Sequence, residues 1–461
     1  MRRLFFVIIT IVSAFYLQAK DIKVGKREWA EISKGDTIKL QPGDNLLFKC
    51  GEVYEGAVRI MAEGTSDMPV TIGEYGKGAK PRIVASDTAQ FAMLIYNSRY
   101  VKIQNLDISN HGTEPQPGRT GLKVEADNCG YSKCISIKSI DIHDVNGSLS
   151  KEKGGGSGLL IVNKWTDCQT AFDSLLIEDC MVRRCQRNAM IWHSNYNRDR
   201  WFPNRHVVVR KCLIEEVPGD GIVPIGCEGA VIEYNIMRNC PDILPDEEAA
   251  AGFWPWSCDN TIIQFNEVSD HKAHWDGQAY DCDYNSNNTT IRYNYSHDNY
   301  GGFLLVCTPK VKGYNIGNRG SVIHHNISIN DGLRPYPARG GEQFSPAIHI
   351  SGPCYNTRID HNVIFYNVRD DNDQDKNFIY LGFWDGYAES TYILDNVFFA
   401  ESDSVGIDLT KSKKNYFAGN ATYKTDKAGD LKRLLRKMTI AGGQAELLYV
   451  NREMMEDWKW L

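Results

Sequence analysis

The chain has 461 residues, with 52 Lys and Arg against 58 Asp and Glu, and a formal net charge of −6. Apolar residues make up 42% and charged residues 24% of the sequence, which is typical of a globular protein and excludes a disordered chain or a coiled coil. The mild negative charge argues against a nucleic-acid partner, because such partners require a basic surface. With 40 Gly, 23 Tyr and 10 Trp, the composition favours short strands and turns over a helical bundle.

Residues 1–19 have the pattern of a secretory signal peptide. Arg2 and Arg3 precede an almost unbroken apolar run from Leu4 to Leu17, and Ala19 is a small residue suited to cleavage. The alternative is a membrane anchor, but the run is too short to span a bilayer comfortably. We therefore expect a secreted or periplasmic protein with no membrane span in the mature chain.

The strongest signal is an internal repeat in which Ile is followed three residues later by Asn. Successive Asn residues lie 28 to 36 positions apart, at Asn235, Asn266, Asn294, Asn326, Asn362 and Asn396. Repeats of this length with short β-branched segments and no helical periodicity predict a β-solenoid. In stacked coils the Asn residues would form a ladder of side-chain hydrogen bonds.

The repeat predicts an all-β fold, a single-stranded right-handed parallel β-helix, over residues 20–423. Residues 424–461 are predicted to be a C-terminal cap or tail, because solenoids need covered ends and residues 426–439 read as a short amphipathic helix. No linker marks a second domain, and we expect a monomer.

A second strand in each coil aligns on a small first residue, and its second and fourth positions are apolar. Alternation along a strand then directs the third and fifth positions outward. The aligned segments begin at Gly158, Ala189, Gly221, Gly252, Ala279, Gly302 and Ala347. The outward column that results contains His193, Trp254, Trp256, Asp281, Asp283 and His349.

Asp281 and Asp283 are the predicted catalytic pair, and Asp276 and Asp220 in nearby turns are further candidates. Two carboxyl groups on one face, two residues apart, can act as acid and base, or as acid and nucleophile, at a glycosidic bond. Neighbouring negative charges raise one pKa, as a general acid requires. The alternatives are two solvated surface residues or a calcium site.

Trp254 and Trp256 are predicted to form a platform for sugar rings, because two outward Trp side chains would otherwise expose a large apolar area to water. The alternative is that a loop covers them. Further candidate substrate contacts lie on the same face or in nearby turns, namely His193, His349, Asp220, His274 and Arg339.

The 13 cysteines are an odd number, so at least one thiol is free. We expect Cys212, Cys282 and Cys307 to be small apolar core residues and not members of a disulfide framework or a zinc site.

With these residues placed, the chain resembles right-handed β-helix proteins of secreted bacterial polysaccharide-degrading systems, which share a pectin-lyase-like fold. The resemblance is carried by the opening segment 43–81, by Asp276-Gly-Gln-Ala-Tyr-Asp281-Cys-Asp283 and by residues 293–299. The chain is similar to β-helix glycoside hydrolases that include α-L-fucosidases and xylanases. The resemblance implies paired acids on the β-helix face, which matches Asp281 and Asp283, with Asp276 or Asp220 as substitutes. The ordered acidic and His motifs of polygalacturonases are missing.

The sequence therefore predicts a glycoside hydrolase that cleaves a complex polysaccharide or oligosaccharide and needs no cofactor. A polysaccharide lyase is the first alternative. In a lyase, Ca²⁺ bound by Asp276, Asp281 and Asp283 would assist β-elimination on a uronate, with Lys310 or an Arg as the base. A uronate epimerase shares that chemistry, and a non-catalytic carbohydrate-binding protein would keep only the Trp pair.

Overall fold

The structure is a computed structural model that describes residues 19–33, 37–85, 87–339, 344–366, 375–400, 405–407, 409 and 411–424. The predicted signal peptide, apart from Ala19, and the predicted C-terminal cap, apart from Lys424, lie outside the described residues.

The chain forms a parallel β-helix, as the repeat predicts. Each coil contributes strands to parallel sheets, and every sheet pairs a strand with its equivalents in the coils before and after it. Because both neighbours in a sheet come from other coils, the hydrogen bonds run along the axis of the solenoid. Ile232, Ile263 and Ile291 are at most 1% exposed and stack inside it.

Sheet I has fifteen strands, which are Asp21–Val24, Asn45–Lys49, Val70–Tyr75, Val101–Gln104, Tyr131–Lys138, Ala171–Glu178, Asn204–Arg210, Cys227–Glu228, Val231–Glu233, Ile262–Gln264, Thr290–Arg292, Val322–His324, Arg358–Asp360, Tyr392–Leu394 and Tyr416–Ala418. Sheet II has thirteen, which are Val53–Glu55, Arg82–Val84, Asp107–Asn110, Asp141–Asn146, Met181–Gln186, Leu213–Glu215, Ile236–Arg238, Glu267–Ser269, Tyr295–His297, Ile327–Ile329, Val363–Tyr366, Val397–Ala400 and Ala421–Lys424.

Sheet III is in two parts. The first part contains Thr37–Leu40, Val58–Ala62, Phe91–Tyr96, Arg119–Asp127, Gly156–Lys164, Asn188–His193 and Ile222–Val223. The second contains Gln278–Cys282, Gly302–Cys307, Phe344–Ser351, Asp375–Gly382 and Gly406–Ile407. A short ladder pairs Ser286–Asn287 with Asn318–Arg319.

Single bridges from Ile222 to Phe253 and from Phe253 to Tyr280 connect the two parts of sheet III. The regular ladder is interrupted at this point because Pro224 and Pro255 have no N–H to donate. The solenoid therefore continues through this coil, while its surface departs from a regular sheet.

The predicted asparagine ladder is present and fully buried over most of its length. The backbone N–H of each Asn donates to the side-chain oxygen of the Asn in the next coil at 2.9–3.0 Å, and the series from Asn235 to Asn396 continues to Asn420. The side-chain amide of each Asn donates to the same oxygen. These bonds satisfy turn groups that would otherwise be buried without partners.

A helix at Lys26–Ile32, which the sequence analysis did not predict, lies near the first coils. Its buried Trp29 packs edge-on against Phe48 and Tyr54, and the Trp29 indole N–H donates to the carbonyl oxygen of Glu55 at 2.7 Å. The helix thus shields the core of the opening coils. A short 3-10 helix spans Arg198–Arg200. Over the described parts of the chain, no helix is long and apolar enough to cross a membrane.

Candidate active site

The outward face of sheet III, in the region where the ladder is interrupted, holds the acidic residues. Tyr280 and Cys282 are fully buried in the core, so Asp281 and Asp283 point to the other face, as the alternation predicts. In the next two coils, Leu305 and then His349 occupy the position of Asp281.

The register predicted for the coil at Gly302 is wrong by one residue. Gly302 pairs with Gln278, and Leu304 pairs with Tyr280, so Leu304 enters the core while Leu305 and Cys307 face outward. The prediction that Cys307 is a core residue is therefore wrong, whereas Cys212 and Cys282 are buried in the core as predicted. All 13 cysteines are free thiols.

Asp276, Asp281 and Asp283 line one cavity of about 380 Å³, together with Lys151 and Trp254. We call it the acidic cavity. Asp281 is 6% exposed, and its Oδ1 is buried with no hydrogen-bond partner in the described structure. Asp276 and Asp283 are half-buried and thus more exposed than Asp281.

Burial raises the pKa of all three carboxyl groups. It raises the pKa of Asp276 to about 6 and that of Asp283 to about 7. The pKa of Asp281 lies well above its ordinary value, because its burial is reinforced by the negative charges of Asp283 and Asp276. At neutral pH Asp276 is therefore mostly ionised and Asp283 is close to half-protonated, while the raised pKa of Asp281 favours its protonated form.

Asp283 is held by two donors. The Tyr284 backbone N–H donates to its Oδ1 at 2.7 Å, and the Cys307 thiol donates to the same oxygen at 3.2 Å. One ligand atom each from Asp281, Asp283 and Cys307 lie within 4.8 Å of one another. This set differs from the predicted Ca²⁺ ligands Asp276, Asp281 and Asp283, because the Cys307 thiol takes the place of Asp276, and a thiol is not a ligand that calcium prefers.

Asp276 lies in a turn with φ at +61°, a conformation that non-glycine residues adopt infrequently. The buried guanidinium of Arg334 fixes this turn by donating to the carbonyl oxygens of His274 and Asp276, the latter at 2.8 Å. Gly301 lies against the Asp276 carbonyl, where a Cβ atom would collide with it. The turn is thus clamped by a residue nearly sixty positions further along the chain.

Asp220 is fully buried and lies at the base of the acidic cavity. Its Oδ2 accepts a hydrogen bond from the buried guanidinium of Arg187 at 2.7 Å, and Arg187 also donates to Glu248 at 3.0 Å. Burial alone would raise the pKa of Asp220, but the charges of Lys151 and Arg187 more than offset it and hold that pKa below its ordinary value. Asp220 is therefore ionised and cannot supply a proton.

Lys151, Arg187 and Glu248 were not singled out in the sequence. Lys151 lies on an insertion between two strands, and its Nζ is 3.7 Å from Asp220 Oδ2 and 5.8 Å from the centre of the Trp254 ring. Glu248 accepts two hydrogen bonds from the Lys151 backbone N–H and so holds this insertion in place. The only available signal was the Gly-rich interruption of the repeat at residues 147–155.

The two predicted platform residues have different environments. Trp254 lines the acidic cavity, and its indole N–H donates to Asp220 Oδ1 at 3.2 Å. Trp256 is covered by Tyr196, whose ring centre lies 4.9 Å away, and it packs edge-on against Tyr284. A loop thus covers one Trp, and Trp254 remains the candidate sugar platform.

The other predicted contacts are spread over a larger area. His349 lines the acidic cavity and Arg339 a neighbouring one. His274 points away, with its Nδ1 2.7 Å from Asp242 Oδ1. His193 is exposed three coils before Asp283, which at the spacing of stacked strands is about 14 Å.

The neighbouring cavity, which we call the arginine cavity, has a volume of about 360 Å³. Gln278, Tyr300, Arg334 and Arg339 line it, and it shares Trp275, Asp276 and His349 with the acidic cavity. The guanidinium carbon of Arg339 lies 3.5 Å from the centre of the Trp275 ring. Asp276 therefore borders two cavities.

Comparison with known proteins shows the same architecture. A family model described as the right handed beta helix region matches residues 173–422. A lacto-N-biosidase of Bifidobacterium longum subsp. longum is 22% identical over 419 residues, covering 70% of this chain and 25% of that protein. The chain thus spans about a quarter of the length of this curated relative.

Two solved structures of a GH136 lacto-N-biosidase from Eubacterium ramulus superpose with TM-scores of 0.60 and 0.59 at 24% and 22% identity. They cover 79% and 84% of this chain, which spans 64% of the solved protein in both cases. A periplasmic alginate epimerase superposes with a TM-score of 0.51 at 14% identity, covering 86% of this chain and 88% of that protein. At these identities the structural likeness concerns the fold.

Proposed function

This chain belongs to the right-handed β-helix family, and on that premise we propose that it is a glycoside hydrolase acting on an oligosaccharide or polysaccharide. The observation that carries the proposal is the acidic cavity, in which three carboxyl groups with raised pKa values lie beside the half-buried ring of Trp254. Glycoside hydrolysis needs one protonated and one ionised carboxyl at the same bond.

We assign the general acid to Asp283 and the ionised carboxylate to Asp276. Both reach into the cavity, and Asp276 has the lower pKa, so it ionises first. Asp283 would donate its proton to the leaving oxygen while the bond from that oxygen to the anomeric carbon breaks. Asp276 would attack that carbon or activate the water that does.

Asp281 has a supporting role in this assignment. It is more buried than its neighbours, and its pKa lies well above its ordinary value, which favours a protonated carboxyl that donates a hydrogen bond. This differs from the pair predicted from sequence, Asp281 with Asp283, and the two assignments make different predictions for an Asp281 variant.

Trp254 and Trp275 would bind the apolar faces of the sugar rings. Trp254 lines the acidic cavity and Trp275 lines both cavities, which suits a chain of sugars better than a single residue. The relatives named lacto-N-biosidase make a lacto-N-bioside the first substrate to test, followed by plant, algal and host polysaccharides. The signal-like residues 1–19 support secretion or export to the periplasm.

A polysaccharide lyase is the second candidate, and Lys151 is the observation that favours it. Its ammonium group lies in the cavity within reach of the acids and could abstract a proton once deprotonated. Lys310, which the sequence predicts as the lyase base together with an unspecified Arg as alternative, is not among the residues that line either cavity. The products separate the two reactions, because a lyase leaves an unsaturated uronate.

The test is hydrolysis of p-nitrophenyl lacto-N-bioside and of the polysaccharide panel by the wild type and by Asp276→Asn, Asp281→Asn and Asp283→Asn, with and without EDTA. Asp395→Asn is the matched control, since Asp395 is exposed and lies outside both cavities. We expect saturated products that survive EDTA, and a loss of about 100-fold to 10,000-fold for Asp276→Asn on every substrate. Asp283→Asn should lose as much on the polysaccharides but much less on the p-nitrophenyl substrate, whose leaving group needs little acid catalysis.

Asp281→Asn should keep most of the activity, because an amide preserves a neutral donor at this position. An Asp281 variant as inactive as the Asp283 variant would instead support the pair predicted from sequence. Unsaturated products would establish the lyase. Full activity in all three variants would refute the acidic cavity as the active site.

A further inference from the structure

We propose that the arginine cavity is a second sugar subsite and that the sugar it takes carries a carboxylate or a sulfate. This inference rests on the proposed function, since it extends the substrate beyond the bond at Asp276. Among the residues that line it, Gln278 and Arg339 carry the argument.

The position of the cavity is the first observation. It shares Trp275, Asp276 and His349 with the acidic cavity, so a chain of sugars that crosses from one to the other passes Asp276. Its volume of about 360 Å³ is close to the 380 Å³ of the acidic cavity. The two cavities therefore suit neighbouring parts of one oligosaccharide.

The second observation is the unpaired side-chain oxygen of Gln278. It is 3% exposed and lines the arginine cavity, and its Oε1 is buried with no hydrogen-bond partner in the described part of the chain. A buried acceptor without a donor is unfavourable, and native proteins seldom leave one unsatisfied. A sugar hydroxyl is a donor that would complete this bond.

The charge of the lining is the third observation. Two guanidinium groups, those of Arg334 and Arg339, face a cavity in which Asp276 is the carboxylate among the described lining residues. His349 is neutral at pH 7, because burial lowers its pKa to about 4. The cavity is thus more positive than the acidic cavity beside it, although the whole protein carries a negative charge.

Arg339 has a geometry suited to an anion. Its guanidinium lies over the Trp275 ring at 3.5 Å, while its side chain remains exposed. Stacking of this kind restricts the guanidinium plane and leaves its N–H edge available to a planar acceptor. A carboxylate or a sulfate on a sugar ring would accept two such bonds, whereas a neutral sugar would accept weaker ones.

The experiment measures binding and does not require turnover. The affinities of methyl β-D-glucuronide and methyl β-D-glucoside for the full chain are compared by ligand-observed NMR at low salt, and those of galactose 6-sulfate and galactose in the same way. We expect the anionic member of at least one pair to bind about three- to fivefold more tightly. The expected preference is small because solvent weakens the ion pair that an exposed Arg forms. Which pair shows the preference separates carboxylate from sulfate.

Two variants and a matched control locate the effect. Arg339→Gln should abolish the preference, whereas Arg205→Gln should keep it, because Arg205 is also an exposed Arg beside an aromatic ring, 5.8 Å from Tyr131, but lies outside both cavities. Gln278→Met should weaken the charged and the neutral sugar alike. Equal affinity within both pairs, or a preference that persists in Arg339→Gln, would overturn the proposal.

The last experiment measures whether inorganic sulfate displaces the anionic sugar. If it displaces the anionic sugar at the same concentration at which the sugar itself binds, the cavity is an anion site and the sugar subsite is refuted. These outcomes are independent of hydrolysis. Loss of activity in Asp283→Asn with no anion preference would leave the hydrolase standing, and Arg339-dependent binding with no hydrolysis of any substrate would leave the subsite standing.

Discussion

Asp276 and Asp283 determine the pH range in which the proposed reaction can proceed. Asp276 must be ionised, so kcat/KM should fall as the pH drops through its pKa of about 6. Asp283 must be protonated, so kcat/KM should fall as the pH rises through its pKa of about 7. We expect a narrow bell-shaped profile with its maximum between these values, measured on a natural oligosaccharide.

A substrate with an activated leaving group provides the control for this profile. A p-nitrophenyl group departs without help from a general acid, so the alkaline limb should flatten while the acidic limb remains. If the acidic limb instead moves to a pH of about 7, the pKa of Asp283, then Asp283 is the ionised carboxylate and the two roles are exchanged.

Arg334 is a positioning residue, since it contacts the turn that carries Asp276 and not the acidic cavity. Its donations to two carbonyl oxygens fix that turn, and its positive charge lowers the pKa of Asp276. Arg334→Met should therefore reduce kcat/KM by about 100-fold, as expected for a reacting group displaced by about 1 Å. The acidic limb of the pH profile should also move to higher pH.

Arg334→Lys and Arg319→Met complete this experiment. The lysine variant keeps the charge, so it should restore the position of the acidic limb but only part of the rate. Arg319 is exposed and lies outside both cavities. Its loss should change neither the rate nor the position of the acidic limb. A uniform loss of rate at every pH with an unshifted acidic limb would show that Arg334 acts only on structure.

At the scale of the elements, the asparagine ladder is a chain of bonds that one substitution interrupts twice. Asn294 is fully buried, its amide donates to Asn326 and to the carbonyl of Ile263, and its Oδ1 accepts two bonds from Asn266. Asn294→Ala would leave groups on both neighbouring coils unpaired. We expect the free energy of unfolding to fall by about 3 kcal/mol, measured by urea denaturation.

Asn45→Ala is the control for the ladder. The Asn45 side chain is half-exposed and donates one hydrogen bond to Asp21 at 2.8 Å, so its loss should cost about 0.5 to 1 kcal/mol. Equal costs for the two variants would show that the ladder adds nothing beyond single hydrogen bonds.

The same elements show what the sequence can predict. The Ile and Asn repeat determines the coils because each Ile is buried and each Asn bonds to the next, so a shifted register would lose both. The register predicted at Gly302 is wrong because Phe303 to Cys307 are all apolar, and alternation carries no information in such a run. Lys151 and Arg334 reach the site from irregular insertions whose paths the repeat does not specify.

At the scale of the whole molecule, Arg187 connects the solenoid to the insertions that enclose the acidic cavity. Its guanidinium is fully buried and donates to Asp220 on the solenoid and to Glu248, which holds the insertion at Lys151. A buried charge that loses its partner is costly, because the remaining ion is desolvated without compensation. The stability of the fold and the shape of the cavity should therefore depend on the same residue.

Arg187→Met tests this dependence against Arg184→Met. Arg184 lies three positions earlier, and its side chain is 42% exposed in a pair with Asp144, so its loss should cost at most about 1 kcal/mol. Arg187→Met should lower the free energy of unfolding by about 3 to 5 kcal/mol at neutral pH. Urea denaturation of both variants gives the comparison.

The pH dependence of this cost has a definite sign. The folded-state pKa of Asp220 is lowered, so its pair with Arg187 stabilises the protein above the unfolded-state pKa of about 4, and that stabilisation is lost as the pH falls towards the folded-state value. The difference between the wild type and Arg187→Met should therefore shrink in acid. A difference that stays constant from neutral to acidic pH would mean that Arg187 stabilises the protein through packing, and that its charge does not hold the cavity wall in place.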